Sequence, residues 1–203
     1  MGKAEENKLK KRQSLLDTAF KLFTTQGIHN TSISDIVEQA GVAKGTFYLY
    51  FKDKYDINNK LVVHRGSKLF DDAMEHMRSC EVNGYRDRIL FVINDIIDAL
   101  TADKVLLMFI SKNLGLGFSR YAMESQAVNE ENSIKEAAES LLEDIGDDIK
   151  NPRLMMYMII ELTGSSIYSS ILYDQPVKIE ELKPYLYKAI NDIITQFEAE
   201  SAV

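Results

Sequence analysis

Apolar residues recur along this chain at spacings of three and four, and no stretch alternates convincingly at period two, so the pattern predicts helix throughout. Leu15, Leu16, Ala19, Phe20 and Phe23 form one stripe, which stops at Gly27 with Ile28 after it. Ser32 then suits an N-cap, with Asp35 three positions on, and Ile33, Ile36, Val37 and Ala40 share the next helical face. Gly41 follows where a left-handed residue would stop that helix and turn the chain. Phe47 and Phe51, four apart, give a second short helix its buried stripe. Lys44, Thr46, Tyr48, Leu49 and Tyr50 are left to point elsewhere.

A short helix, a glycine turn and a second short helix are the layout of a helix-turn-helix, whose second helix enters the DNA major groove. That second helix is poorly built for a purely structural role. Ala43 occupies its N-cap position and cannot cap, where Ser or Thr would contribute about 1 kcal/mol. Lys44 puts positive charge at the positive helix end, and Gly45 inside the helix costs about 1 kcal/mol relative to Ala. Phosphate would answer both Lys44 and the uncapped N–H groups, while Gly45 permits close backbone approach. Upstream, Lys3, Lys8, Lys10, Lys11 and Arg12 make either a basic arm for phosphates or the minor groove, or simply a solvated helix start.

Beyond the hairpin the pattern predicts a long fourth helix from near Asp53 to about Met77, broken at Asn83-Gly84. A fifth helix over 86–100 carries Ile89, Leu90, Ile93, Ile96, Ile97 and Leu100. Thr101-Ala102-Asp103 is a corner before a short apolar helix through Leu114. Gly115-Leu116-Gly117 then precedes a polar amphipathic helix ending near Gly146. Asn151-Pro152 opens the next helix and Gln175-Pro176 closes it. A final helix from Ile179 carries Leu182, Leu186, Ile190, Ile193, Ile194 and Phe197. The stretch 154–172 is apolar nearly all round and has to be covered on more than one side. Its Gly164, Ser165, Ser166, Ser169 and Ser170 are small enough for another helix to approach closely.

Charge sharpens this division. The net charge of −7 splits into +4 over residues 1–65 and −11 over the remainder, a nucleic-acid head on an acidic body. Cys80 stands alone, which excludes a disulfide framework or a cysteine metal site, and His29, His64 and His76 lack the spacing of helical metal ligands. No cofactor or metal is expected. The charged start lacks the apolar core of a signal peptide, and the 154–172 stretch contains Glu161 and several hydroxyls, so a cytoplasmic protein without a membrane span is expected.

Gly27, Thr31-Ser32-Ile33, Asp35-Ile36, Ala40-Gly41-Val42, Lys44 through Phe51 and Lys52-Asp53-Lys54 together resemble the TetR/AcrR family of bacterial transcriptional regulators. The likeness covers roughly the first 65 residues; the rest fits only in length, helical content and position. It implies an all-α fold, with a three-helix helix-turn-helix head over 1–52 and a helical effector-binding and dimerisation domain over 53–203. It also implies that Lys44, Gly45 and Thr46 meet bases or phosphates, that Tyr48 meets a base or the backbone, and that Tyr50 and Lys54 meet phosphate. Ala43 departs from the Ser or Thr frequent at that position. Ser32 and Leu49 complete the candidate DNA-contacting set.

For the body the resemblance implies an effector pocket and a homodimer. Phe91, Met108, Phe109, Tyr121, Met156, Tyr157 and Glu161 are the candidate ligand residues, Glu161 as a lone acid among apolar neighbours that either holds a ligand or pairs across the interface. Gly164, Ser165, Tyr168, Leu172, Leu186, Ile190, Ile193 and Phe197 are the candidate dimer residues. The expected function is a regulator, of repressor type, released from a palindromic double-stranded operator by a small apolar or amphipathic effector. The competing readings are a helical protein–protein adaptor and an all-α enzyme using the hairpin as scaffold. The enzyme reading lacks metal spacing, a phosphate loop or a nucleophile elbow.

Overall fold

The computed structural model describes residues 2–114 and 149–198, and all named elements among them are helices: α1 (Lys3–Thr25), α2 (Ile33–Gln39), α3 (Lys44–Tyr48), α4 (Lys54–Ser79), α5 (Tyr85–Ala102), α6 (Lys104–Leu114), α7 (Pro152–Tyr173) and α8 (Ile179–Phe197). The chain divides into two compact units, Met1–His64 and Arg65–Val203. The division falls inside α4, later than the 52/53 line drawn from the sequence. The reason is that Ile57 and Leu61 on the first turns of α4 are fully buried with the head.

In the first unit, Leu15, Leu16, Ala19, Leu22 and Phe23 of α1 form a core with Ile36, Val37, Phe47, Phe51, Ile57 and Leu61. Helix α1 already begins at Lys3, so the basic leader is the start of a helix and not an extended arm. Helix α2 opens on a capping box. The Asp35 N–H donates to the Ser32 hydroxyl at 3.1 Å, and the Ser32 N–H donates to the Asp35 carboxylate at 2.8 Å. Hydrogen bonding from the Ser32 backbone N–H, and after it from the Ser32 side chain, holds the Asp35 carboxyl below its ordinary pKa. It closes with Gly41 at φ +67°: the Val42 N–H reaches Val37 O and the Gly41 N–H reaches Glu38 O, which is the Schellman pattern.

In the second unit, α7 and α8 pack together most extensively, with α5 and α6 completing the packing. Asn151 caps α7 through its side chain and Pro152 fills its first position, as the sequence predicts. Helix α5 runs two residues further than expected, so the corner shrinks to Asp103, whose carboxylate accepts from the Leu106 N–H at 2.9 Å. A polar clamp ties α5 to the end of α8. The Arg86 guanidinium donates to Glu198 Oε1 from Nε at 3.1 Å and Nη2 at 2.5 Å, and to Thr195 Oγ1 at 3.0 Å; the Tyr85 hydroxyl also donates to Glu198. Hydrogen bonds first from Tyr85 and then from Arg86 hold the Glu198 carboxyl below its ordinary pKa. Farther along the same pair of helices, Asn94 and Asp98 accept from Lys183, and Asn94 accepts from the Tyr187 hydroxyl. Burial, with the Asp98 charge adding to it, pushes the Tyr187 hydroxyl up to about 12. No described helix is long and apolar enough to cross a membrane.

Candidate nucleic-acid interface

The geometry of α3 is fixed from within. Phe47 and Phe51 are buried, their ring centroids 5.5 Å apart, and the Phe51 N–H donates to Phe47 O at 3.0 Å. With the inner face pinned, successive residues advance about 100° around the helix. Lys44, Gly45, Tyr48 and Leu49 are accordingly exposed, and Thr46 and Tyr50 lie half-buried at the flanks. Ala43 caps α3 only with its carbonyl, which accepts from the Thr46 N–H at 2.8 Å, and no side chain caps the helix. Nothing in the fold demands glycine at 45: a Cβ built there meets no atom within 4 Å.

Three of the candidate residues carry structural duties, of which the sequence revealed only the capping role of Ser32. The Ser32 hydroxyl is engaged in the α2 capping box. The Tyr50 hydroxyl donates to Lys8 O at 3.2 Å, tying the end of the hairpin to α1. Lys54, at the start of α4, donates to His29 O at 3.1 Å and Thr31 O at 3.2 Å, bracing the loop that delivers the chain to α2. Thr31 in that loop is buried and its hydroxyl donates to Gly27 O at 2.9 Å. Lys60 was missed altogether. Its ammonium donates to Tyr50 O at 3.1 Å and lies 5.3 Å from the Phe51 ring centroid, fixing the chain just beyond α3. The signal for Asp53 was present in its place before α4: its carboxylate accepts from the N–H groups of Tyr55 and Asp56, both at 2.8 Å.

The body residues scatter. Phe109 is buried, and Phe91, Met108 and Met156 are half-buried. Tyr121 lies outside the described residues. Glu161 is exposed, as is Tyr157: the inner stripe of α7 is Met155, Ile159, Thr163 and Ile167, and Glu161 falls on the outer face with Leu154, Met158 and Ser165. Among the dimer candidates, Leu186 and Ile190 are core residues of their own subunit and are closed to a partner. Ser165 is exposed, and Gly164, Tyr168, Leu172, Ile193 and Phe197 remain partly so.

Residues 15–60 match the family described as bacterial regulatory proteins, tetR family. The fatty acid metabolism regulator protein of Bacillus subtilis is 32% identical over 111 residues, covering 55% of this chain and 47% of that protein. The HTH-type transcriptional regulator AcrR of Shigella flexneri is 39% identical over 59 residues, covering 29% of this chain and 27% of its own. The matched segments thus span half or less of these curated relatives. Among solved structures, FadR from Bacillus subtilis in complex with stearoyl-CoA aligns with a TM-score of 0.59 at 21% identity, covering 88% of this chain and 96% of that one. A TetR family transcription regulator from Marinobacter aquaeolei gives 0.61 at 13% identity, covering 97% and 100%. These likenesses establish the helical fold across both units. Through the head built by α1 to α3 and the start of α4, the chain is similar to the tetR family of bacterial regulatory proteins.

Proposed function

We propose that this protein is a DNA-binding transcriptional regulator, of repressor type, that acts as a homodimer in the cytoplasm on a palindromic operator. The observation that carries the reading is the division of labour on α3. Phe47 and Phe51 are spent on the core, whereas Lys44, Gly45 and Tyr48 form an outward surface, with the Tyr48 ring also in edge contact with Phe47. Lys44 sits beside uncapped N–H groups, a combination that disfavours the free helix and suits a polyanion. Gly45, required neither by packing nor by a positive φ, suits an approaching backbone.

Release by an effector is the second half of the proposal. The ligand would bind the body, and it would shift DNA binding only as far as its affinity differs between the DNA-bound and released arrangements. Solved neighbours include a complex with stearoyl-CoA, which makes long-chain amphipathic molecules the first class to screen. The reading calls for no catalytic step and no metal.

The test is duplex DNA binding across a salt series. Wild type should lose affinity steeply with salt, and Lys44→Ala should weaken binding and flatten the slope by roughly 0.9 for each phosphate that the missing ammonium no longer neutralises. Binding that is insensitive to salt and unchanged in Lys44→Ala sinks the proposal.

A further inference from the structure

Leu49 is 78% exposed, more than any other large apolar residue among those described. Its position is forced. Phe47 is fully buried, and two residues further on the helix has turned by about 200°, so the Leu49 side chain leaves on the opposite side. The backbone there is ordinary right-handed helix (φ −73°, ψ −24°), and its N–H is engaged with Thr46 O at 3.3 Å. Only the backbone at 49 serves the fold. Its side chain is an isobutyl group held in water beside Tyr48, itself 53% exposed, on the surface proposed to face DNA.

Chemistry narrows what that group can recognise. A leucine side chain neither donates nor accepts, so it gains nothing from a phosphate or from the hydrogen-bonding edges of the bases. In the major groove, the apolar feature that differs between base pairs is the 5-methyl group of thymine. Burying such a methyl against an aliphatic side chain removes both from water, which is the kind of contact a protruding leucine can make. We infer that Leu49 is a specificity-determining residue that reads a thymine methyl in each half-site of the operator. This inference rests on the DNA-binding reading above and adds to it the base, and the group on that base, that α3 selects. Tyr48 and Thr46 flank the contact and supply the polar readout.

The test uses the full chain and duplexes that it selects from a random-sequence library. Each thymine of the selected consensus is replaced singly by deoxyuridine, which removes the methyl and keeps every hydrogen-bonding group. Wild type should lose roughly fourfold in affinity at one thymine per half-site, the scale of one buried methyl. Leu49→Ala should bind the thymine and uracil duplexes equally while unfolding at the wild-type midpoint, since the side chain touches no part of the core. Leu49→Met, apolar and adaptable, should retain discrimination. Losses that are the same in wild type and Leu49→Ala at every thymine, or no loss at any thymine in wild type, overturn the inference and leave DNA binding standing. If no duplex is enriched and binding ignores both salt and Lys44→Ala, the DNA-binding reading fails and the inference falls with it.

Discussion

Replacing Lys54 with Met would separate two roles that one ammonium group holds at once. The side chain donates to His29 O and Thr31 O, two carbonyls of the loop between α1 and α2, from a helix start where its positive charge is otherwise unfavourable. Hydrogen bonds from a charged donor contribute about 1.5–3 kcal/mol each when buried. Lys54 is half-buried, so solvent competes and the pair together should contribute about 1–2 kcal/mol. Met keeps the aliphatic stem and removes only the donors. Urea unfolding followed by circular dichroism should therefore show Lys54→Met less stable by about 1–2 kcal/mol, with Lys54→Arg recovering part of the loss. In the same preparations, Lys44→Ala should unfold as wild type does, because that side chain is exposed and touches nothing in the core. An unchanged unfolding free energy in Lys54→Met would refute the bracing role. If its DNA salt slope nevertheless flattened, Lys54 would be a phosphate contact alone.

Glu198→Gln should flatten the acid limb of the stability profile. The Glu198 carboxyl titrates below its ordinary value, so it stabilises the fold above the unfolded pKa and loses that contribution as pH falls through the folded one; urea unfolding from pH 3 to 7 should show wild type gaining more than the variant. Thr163→Val should leave stability unchanged or raise it by up to about 1 kcal/mol, because the Thr163 hydroxyl is buried without a hydrogen-bond partner. A clear loss in thermal unfolding would mean that the hydroxyl has a partner after all. Ile193→Glu, on the partly exposed side of α8, should shift the protein toward monomer in analytical ultracentrifugation and weaken operator binding, and an unchanged sedimentation coefficient would remove that face from the interface.

The head was legible because its signals are local. Ser32 and Asp35 are three residues apart, Gly41 takes a left-handed φ directly after α2, and Phe47 and Phe51 are one turn apart; each is settled within a few residues of chain. Lys54 and Tyr50 were located but assigned to phosphate alone, because their carbonyl partners lie 25 and 42 positions away. The Arg86–Glu198 clamp spans 112 positions, and nothing in either neighbourhood announces it. In α7 the difficulty is of another kind. Apolar residues surround the helix almost evenly, so periodicity carries no direction and the inner face cannot be chosen from spacing. That is why the two roles of Glu161, toward a ligand or across an interface, could not be told apart by spacing. In α8 the same spacing does define a stripe, but a stripe says only that a face is covered, and for Leu186 and Ile190 the cover is their own subunit.

The outer side of that last pair of helices therefore carries the case for assembly. Once Met155, Ile159, Thr163 and Ile167 are turned inward, Leu154, Tyr157, Met158 and Ile160 remain exposed on α7 within two turns. On α8, Tyr185 is 76% exposed, and Leu182, Ala189 and Ile193 lie partly exposed at helical spacing from it. Single exposed apolar residues are ordinary on a soluble protein, whereas a set sharing a face on paired helices marks a surface that another molecule covers. A second copy presenting the same two faces would satisfy both at once, as a two-fold interface requires. In that arrangement Glu161 sits on the covered side, beside Ser165 and not in a ligand cavity, and its carboxylate would need a partner contributed across the axis. Glu161→Gln should then alter dimer stability while leaving the effector's apparent affinity unchanged, as read by sedimentation and by ligand titration of the same sample. A change in effector affinity with the dimer intact would instead return Glu161 to the ligand.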